Sequence, residues 1–414
     1  MTSPQPKATN WSITQKLIFR IIFSYIVLYV VLMFAVVFLE TPLKWFAQNI
    51  IHWGQDLQVR STGSGDQTYN FVLISFNLFL VLIIVPIWSF FDRKRDSYST
   101  LLHWLFLFLR IVLFCAMLLY GSVKLVKGQF PDHSLYRLLQ PLGEMSPMGL
   151  AWTFMGHSFM YNLFIGFAEV LGGLLMLYRK TVTLGSLVII GVMSNVAMMN
   201  MTYDIPVKLF SFHLLLMAFV LLSKDFNRLV NFFLKNETAQ PVQFYTYFKN
   251  SGIRKFGSVI RGLIAFIVLA TTLIQIFLQF NIHDQLKEKS EFYGIWKVET
   301  FTDNGVGRPP LTTDTFRWEY LIIDQKKKAI VKKMDGSRMG YDFALDTTHQ
   351  KIDFMSLSGS YKFNYSMKND SNYLKLNSLQ NVDSLSITLR RKPLSDFRLI
   401  NHEFRWVNEF PFNR

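Results

Sequence analysis

Cysteine is almost absent from this chain of 414 residues, in which Cys115 is the only one. A single cysteine excludes a disulfide framework and a Cys-x-x-Cys redox motif. The glycine-rich loops of nucleotide-binding proteins and the Gly-x-Ser-x-Gly and His-Glu-x-x-His patterns are also missing. The eight histidines are scattered without the spacing of metal ligands, so we predict no metal site. The sequence therefore offers no motif that identifies a reaction.

Charged residues are also scarce, at 17% of the chain, whereas soluble domains carry about 25%. Long apolar runs before residue 281 account for the deficit. A helix needs about 20 apolar residues to cross the hydrocarbon core of a bilayer. We therefore predict a membrane bundle of about seven transmembrane helices, over residues 17–39, 70–90, 101–122, 151–178, 182–203, 206–223 and 258–280.

The net charge of +15 comes mainly from the loops between these helices. If the N-terminus is cytoplasmic, the cytoplasmic segments contain 15 lysines and arginines and the opposite loops contain six. The positive-inside rule favours this orientation, and an odd number of spans then places the C-terminus outside. The basic balance thus reflects membrane orientation, and we expect the lipid bilayer, not nucleic acid, as the partner.

After residue 280 the apolar pattern shortens to segments rich in β-branched and aromatic residues, separated by Asp, Gly and Asn turn signals. This pattern predicts an antiparallel β-barrel or sandwich outside the cytoplasm. The opening Gly294-Ile295-Trp296 resembles the start of lipocalin-type barrels. The predicted strands are 293–301, 316–324, 328–334, 339–346, 351–357, 362–367, 373–376 and 385–390.

Polar residues form a stripe on the predicted helix over 151–178. Small residues let a second helix approach closely, so the stripe predicts a packing face. A mid-membrane carboxyl needs a partner, and Arg110 lies at a matching depth on the preceding helix. We therefore predict an Arg110–Glu169 ion pair, with a structural or a functional role. The stripe consists of Ser158, Asn162, Gly166, Glu169 and Gly173.

A second polar group is expected toward the outer leaflet. Individually these residues can snorkel to the interface or cap helix ends. Together they predict an outward-facing polar pocket in the bundle. Its candidate residues are Lys124, His157, Tyr161, Asn200, Tyr203, Asp204, Lys208 and His213.

Several motifs in this region resemble those of DoxX-like membrane proteins. They are Gly121-Ser-Val-Lys124, Gly166-Phe-Ala-Glu169 with Gly172-Gly173, the turn Arg179-Lys-Thr-Val-Thr-Leu-Gly185, and the segment from Asn195 to Asn200. The match covers roughly 101–223. The additional Thr62-Gly-Ser-Gly-Asp66 and the terminal segment from Trp406 to Arg414 are similar to larger DoxX-like proteins of Bacteroidetes-type bacteria with a C-terminal β domain.

The resemblance implies a four-helix unit in a bacterial inner membrane and an association with redox complexes, since the wider family includes a subunit of a thiosulfate:quinone oxidoreductase. A quinone is the cofactor or ligand that it suggests, and the lone Cys115 argues against thiol–disulfide chemistry. The expected organisation is a cytoplasmic tail (1–16), two helices with an outer loop (17–100), the DoxX-like unit (101–223), a basic linker (224–257), a last helix (258–280) and a periplasmic β domain (281–414).

Four functions remain open at this point. The first is a redox-associated subunit that binds a quinone or a small anion in the outer pocket. The second is a protein that handles or transports lipids or other lipophilic ligands. The third is a non-catalytic assembly factor that contacts other membrane or envelope proteins, and the fourth is an enzyme similar to vitamin-K-dependent carboxylases. An apolar barrel interior would favour the second, and a plugged interior the third.

Overall fold

The computed structural model describes residues 10–53, 57–58, 62–241, 251–286, 289–357, 359–368, 372–379, 384–402 and 405–411. The chain divides into two compact units. Residues 1–129 and 159–276 form one of them, which we call the helical unit. Residues 130–158 and 277–414 form the other, which we call the barrel unit.

Among the described residues, six helical segments are long and apolar enough to cross a membrane, and a seventh is counted if one interrupted pair forms a single span. The predicted membrane bundle of about seven helices is therefore confirmed. The α-helices are α1 (Ile13–Ala35), α2 (Glu40–Asn49), α3 (Thr68–Phe91), α4 (Ser99–Leu125), α5 (Leu135–Leu139), α6 (Pro147–His157), α7 (Phe159–Leu175), α8 (Val182–Thr202), α9 (Lys208–Leu222), α10 (Phe226–Phe233) and α11 (Ser251–Leu286).

In the helical unit, α4 packs against α7, α8 against α9, and α1 against α3. Ser12 begins α1 with a capping box. The Ser12 hydroxyl accepts a hydrogen bond from the Gln15 backbone N–H, and the Gln15 side-chain oxygen accepts one from the Ser12 backbone N–H. The largest apolar cluster of this unit includes Leu109, Leu113 and Ile189, which are all fully buried. Apolar packing between helices thus builds a bundle that can hold the polar groups described below.

The single helix predicted over 151–178 is wrong, because the chain forms α6 and α7 with a break at Ser158. The Ser158 backbone is extended (φ −109°, ψ 116°) and ends α6. The preceding Gly156 lies against the Pro131 carbonyl oxygen, where a Cβ would collide. Ser158 therefore does not share a helix face with Asn162 and Gly166.

The barrel unit contains a closed antiparallel barrel of eight strands, with β2 as a short extension of β1. Strands β1 and β3 to β9 pair in sequence order, and β9 returns to β1 to close the sheet, which is the up-and-down connectivity of lipocalin-type barrels. A barrel, and not a sandwich, is thus the observed form. The strands are β1 (Gly294–Asp303), β2 (Val306–Gly307), β3 (Trp318–Gln325), β4 (Lys328–Lys333), β5 (Arg338–Asp346), β6 (Lys351–Ser356), β7 (Gly359–Lys368), β8 (Tyr373–Ser378) and β9 (Leu385–Lys392).

Apolar side chains fill the barrel. Trp296, Trp318, Phe354 and Phe363 are fully buried there, and Trp318 makes edge-to-face contacts with Phe354 and Phe363 at centroid distances of 6.0 and 6.1 Å. Outside the barrel, α5 covers the wall formed by β1, β3 and β4. The segment before α6 thus belongs to the barrel unit although it lies between two membrane helices in the sequence.

Candidate functional site

A buried ion pair joins α4 and α7. Nζ of Lys124 donates a hydrogen bond of 2.7 Å to Oε2 of Glu169, and both side chains are buried, at 7% and 3% exposure. Gly121 and Gly166 make this contact possible. A Cβ at either glycine would lie only 2.9 Å from the carbonyl oxygen of the other, so a larger residue would push the two helices apart. The two charged residues lie one turn beyond these glycines, so backbone contact sets the register in which they meet.

The predicted Arg110–Glu169 ion pair is wrong. Nε and Nη2 of Arg110 instead donate to the carbonyl oxygens of Met176 and Leu177, at 2.8 and 2.9 Å. The prediction assumed that the second helix continued to residue 178, whereas α7 ends at Leu175. The carbonyl oxygens of the two residues that follow it accept from Arg110. Glu169 packs beside Gly121, which is eleven residues, or roughly 16 Å, along α4 from Arg110.

Apart from Ser158, which ends α6, the other members of the predicted stripe are buried on α7, and its glycines face α4. Asn162 is fully buried, and a Cβ at Gly173 would lie 3.0 Å from the Met117 Cβ. Gly172 and Gly185 serve the next interface, since a Cβ at Gly185 would lie 3.3 Å from the Gly172 carbonyl oxygen. Small residues thus hold α4, α7 and α8 in close contact.

At the end of the bundle where α9 begins, Asp66 caps this helix from a different segment of the chain. Its carboxylate accepts hydrogen bonds from the backbone N–H groups of Lys208 and Leu209, at 2.8 and 3.0 Å. Gly65 supports this contact by donating its N–H to the Pro206 carbonyl at 2.7 Å. A carboxylate at a helix N-terminus is favourable because four N–H groups lack partners within the helix.

Three residues of the predicted pocket, Asn200, Asp204 and Lys208, lie around this cap. Lys208 pairs with Asp204 at 2.7 Å and approaches Asp66 at 3.9 Å. Asn200 is buried and donates to the Ser211 hydroxyl at 3.1 Å and to the Val207 carbonyl at 3.3 Å. Tyr161 and Tyr203 lie at the surface, where Tyr203 follows α8 as its C-cap.

A cleft of about 560 Å³ opens beside Asp66. It offers amide, hydroxyl and phenol groups with one leucine, a lining suited to a small polar group. The lining residues are Leu57, Gln58, Thr62, Asp66, Gln67, Thr68 and Tyr69.

About one and a half turns beyond Lys208 along α9, His213 lies in a tyrosine cluster. Its Nδ1 lies 2.6 Å from the Leu209 carbonyl oxygen and its Nε2 lies 2.8 Å from the Tyr25 hydroxyl. A carbonyl oxygen can only accept, so Nδ1 carries the proton and Nε2 of the neutral ring accepts from Tyr25. The Tyr29 ring stacks on the imidazole at a centroid distance of 3.7 Å. We call Tyr25, Tyr29 and His213 the outer site.

Sequence reasoning included His213 but missed Tyr25, Tyr29 and Asp66. The i, i+4 spacing of the two tyrosines on α1 was the available signal, since it places both on one face. His157 belongs elsewhere: it ends α6 in the barrel unit and stacks on His133 at 6.0 Å.

Comparison with known proteins found a relative without a known activity. The chain is 32% identical over 133 residues to an uncharacterized protein, YwoB, of Bacillus subtilis (strain 168). The alignment covers 30% of this chain and 79% of the Bacillus protein, so this chain belongs to the same family as YwoB. No family model matches the chain, and no solved structure matches it.

Proposed function

We propose that this chain is a redox-associated membrane protein of DoxX-like type that binds a quinone headgroup at the outer site. The hydrogen bond between Tyr25 and His213, in the apolar surroundings of a membrane bundle, carries the proposal. Polar side chains within membrane helices are costly and commonly mark ligand sites. Here a donor, an acceptor and a flat aromatic ring lie within one small cluster.

These groups suit the chemistry of a quinone. The oxidised headgroup is a flat ring with two carbonyl oxygens, which need donors such as the Tyr25 hydroxyl. The reduced headgroup has hydroxyls, which need acceptors such as Nε2 of His213. The Leu209 carbonyl fixes the histidine tautomer. A headgroup that inserts between Tyr25 and His213 and replaces their mutual hydrogen bond would therefore meet a donor on one side and an acceptor on the other. Tyr29 adds an aromatic surface for stacking.

The proposal includes an orientation and a location. The excess of lysines and arginines in one set of loops favours a cytoplasmic N-terminus. With that orientation, the start of α9 lies near the outer leaflet of the bacterial inner membrane and the barrel lies in the periplasm. The outer site would then exchange its ligand with the quinone pool of the bilayer, while a partner protein supplies or accepts the electrons.

Quinone content tests the proposal. Protein extracted in mild detergent from bacterial membranes is expected to retain about one quinone per chain, measured by chromatography and mass spectrometry of its organic extract. Tyr25→Phe removes one hydroxyl and should lower retention about tenfold, the effect expected for one hydrogen bond to a ligand. Tyr178→Phe, at an exposed position, is the matched control. A folded wild-type protein without quinone contradicts the proposal.

The filled barrel favours an envelope assembly factor as the second candidate. Its interior is occupied by its own aromatic and aliphatic side chains, so the barrel gives the lipid-transport alternative no support. An assembly factor would present the barrel surface to another envelope protein. Proximity labelling from an enzyme fused after residue 414 tests this alternative, which predicts one recurrent envelope partner and fails if labelling is diffuse.

A further inference from the structure

A cleft of about 560 Å³ opens beside Asp66, at the end of the helical unit where α3 and α9 begin. Its volume lies within the range of roughly 300–1,000 Å³ that is typical of small-molecule sites. All of its described lining residues fall in the segment 57–69 of the helical unit. None of them belongs to the outer site, so a ligand here would be separate from a quinone bound there. We call this cleft the α3 cleft.

Hydrogen bonds within the segment hold one side of the α3 cleft in shape. Nε2 of Gln67 donates to the Thr62 hydroxyl and to the Ser64 carbonyl oxygen. The Ser64 hydroxyl in turn accepts from the Asp66 backbone N–H at 3.2 Å. Polar groups that are held in place before a ligand arrives lose less conformational entropy when it binds. The α3 cleft is therefore a preformed site.

Three polar side chains of the α3 cleft are available to a ligand. Within the described ranges, no residue hydrogen-bonds to the Gln58 amide, the Thr68 hydroxyl or the Tyr69 hydroxyl. Amide and hydroxyl groups both donate and accept hydrogen bonds. Asp66 adds a carboxylate acceptor, which has lone pairs beyond those used by the backbone N–H groups of α9. The cleft thus offers donors and acceptors side by side.

Charge narrows the class of ligand. Asp66 is the one ionised side chain among the lining residues that the structure describes, and no lysine or arginine is among them. Two backbone N–H groups of α9 and the Lys208 ammonium group, at 3.9 Å, already balance the Asp66 carboxylate. This carboxylate would repel an anionic ligand, and a cationic ligand would gain little from a balanced charge. Because Leu57 is the one aliphatic residue of the described lining, the cleft favours a neutral polar ligand.

The α3 cleft lies where two membrane-spanning segments start. Thr68–Phe91 and Lys208–Phe233 are both long and apolar enough to cross a bilayer, and the Gly65 N–H joins their starts by donating to the Pro206 carbonyl at 2.7 Å. Trp53 packs edge-to-face on an aromatic ring of α3, and tryptophan is enriched at membrane–water interfaces. A ligand therefore reaches the cleft from the aqueous phase or from the headgroup layer of the adjoining leaflet.

We propose that the α3 cleft binds a neutral saccharide. The hydroxyls of a sugar ring are donors and acceptors at once, and they match the mixed groups of Gln58, Thr68 and Tyr69. One further sugar hydroxyl donates to the Asp66 carboxylate, which can only accept. A soluble sugar and the headgroup of a glycolipid share this chemistry, so both are sources of the ligand.

Binding to the full chain in a phosphocholine detergent, which carries no sugar, tests the proposal. Glucose is titrated with detection by saturation-transfer NMR, and glucosyl diacylglycerol is added to the micelles with detection by native mass spectrometry. We expect saturable binding of glucose, of the glycolipid or of both, and the responding probe identifies the source. Glucuronate, which has the same ring with a carboxylate, should bind at least about tenfold more weakly than glucose. Diacylglycerol without the sugar should not be retained.

Binding of neither glucose nor the glycolipid would overturn the proposal. Equal binding of glucose and glucuronate, or of the glycolipid and diacylglycerol, would also overturn it. Two variants locate the site, because Tyr69→Phe and Thr68→Val each remove a hydroxyl without removing a described hydrogen bond. Each should weaken binding of the responding probe about tenfold, whereas Tyr178→Phe, at an exposed position, should not. Unchanged affinity in both cleft variants, with folding verified by circular dichroism, would contradict a site in the α3 cleft.

Discussion

The ammonium group of Lys124 and the carboxylate of Glu169 form a buried ion pair with an N–O distance of 2.7 Å across the α4–α7 interface. Gly121 and Gly166 hold the two helices close enough for this pair to form. The contact joins two helices that follow each other in the sequence only through the barrel-unit segment 130–158. The pair therefore holds α4 and α7 together although this segment separates them in the sequence.

Removal of one partner of this pair should destabilise the helical unit strongly. Lys124→Met leaves the Glu169 carboxylate buried without its cation, a change that costs about 3–5 kcal/mol in comparable buried pairs. Lys124→Met/Glu169→Met removes both charges and should lose less stability than either single variant. Thermal unfolding in detergent measures the three variants, and a double variant that loses the sum of both single effects would contradict a coupled pair.

The close approach of α4 and α7 predicts a sharp difference between two glycines. Gly121→Ala places a methyl group 2.8 Å from the Val170 side chain and 2.9 Å from the Gly166 carbonyl oxygen, so it should destabilise the bundle by about 1–3 kcal/mol. A methyl group added at Gly191 on α8 would have no neighbouring atom within 4 Å. Gly191→Ala should leave stability equal or slightly higher, because alanine is the better helix former. Equal destabilisation by both changes would contradict the observed interface.

Tyr98 anchors the buried Arg20 at the ends of α1 and α3. Nε and Nη2 of Arg20 donate to the Tyr98 hydroxyl at 2.9 and 2.6 Å, and that hydroxyl donates to the Asp92 carboxylate at 3.0 Å. Tyr98→Phe removes this shared atom and should cost about 1.5–3 kcal/mol, the range for hydrogen bonds to charged groups. Unfolding midpoints compared with the exposed Tyr178→Phe test the expectation, which fails if the two variants are equally stable.

The packing of α5 on the barrel should depend on pH through Asp324. Burial raises the pKa of the Asp324 carboxyl, although it accepts a hydrogen bond of 3.0 Å from the Leu135 N–H. A raised pKa means that the folded protein favours the protonated acid. Its contribution to stability is complete below the unfolded pKa of about 3.9 and is lost as pH rises through the folded pKa.

Asp324→Asn keeps an oxygen acceptor for Leu135 but cannot ionise. Relative to wild type, it should therefore gain stability as pH rises above about 4. Asp346→Asn is a control of opposite sign, because the backbone N–H and the ring of His349 lower the pKa of Asp346. Wild-type Asp346 contributes stability at neutral pH that is lost on acidification. Unfolding of the barrel, followed by tryptophan fluorescence from pH 3.5 to 8, measures the stability of both variants. If their stabilities relative to wild type changed with pH in the same direction, the opposite pKa shifts of Asp324 and Asp346 would be contradicted.

The barrel strands could be predicted because their signals are local. Alternating apolar residues and turns such as Asp335-Gly336, where Gly336 adopts a φ of +84°, mark strand ends without reference to distant residues. All eight predicted strands are present, and only the short β2 was missed. Whether the strands form one closed barrel or two packed sheets could not be predicted, because closure depends on the pairing of β1 with β9, which are far apart in the sequence.

The helical contacts were harder to predict because they depend on register between distant segments. The partner of Glu169 depends on which glycines meet and on where α7 ends, and the end of α7 was misplaced by three residues. The Asp66 cap of α9 joins residues 142 apart. The attachment of α5 to the barrel joins Leu135 to Asp324, 189 apart. Helical periodicity carries no information about such pairings.

The affinity of the outer site for a quinone decides whether this protein is a quinone-binding membrane protein. A water-soluble short-chain ubiquinone or menaquinone analogue is titrated into the full chain in lipid nanodiscs, and its Kd is measured by calorimetry. We expect saturable binding at one site, weakened about tenfold by Tyr25→Phe and unaffected by Tyr178→Phe. Absence of saturable binding to the folded wild-type protein, or equal Kd values for Tyr25→Phe and wild type, would contradict it.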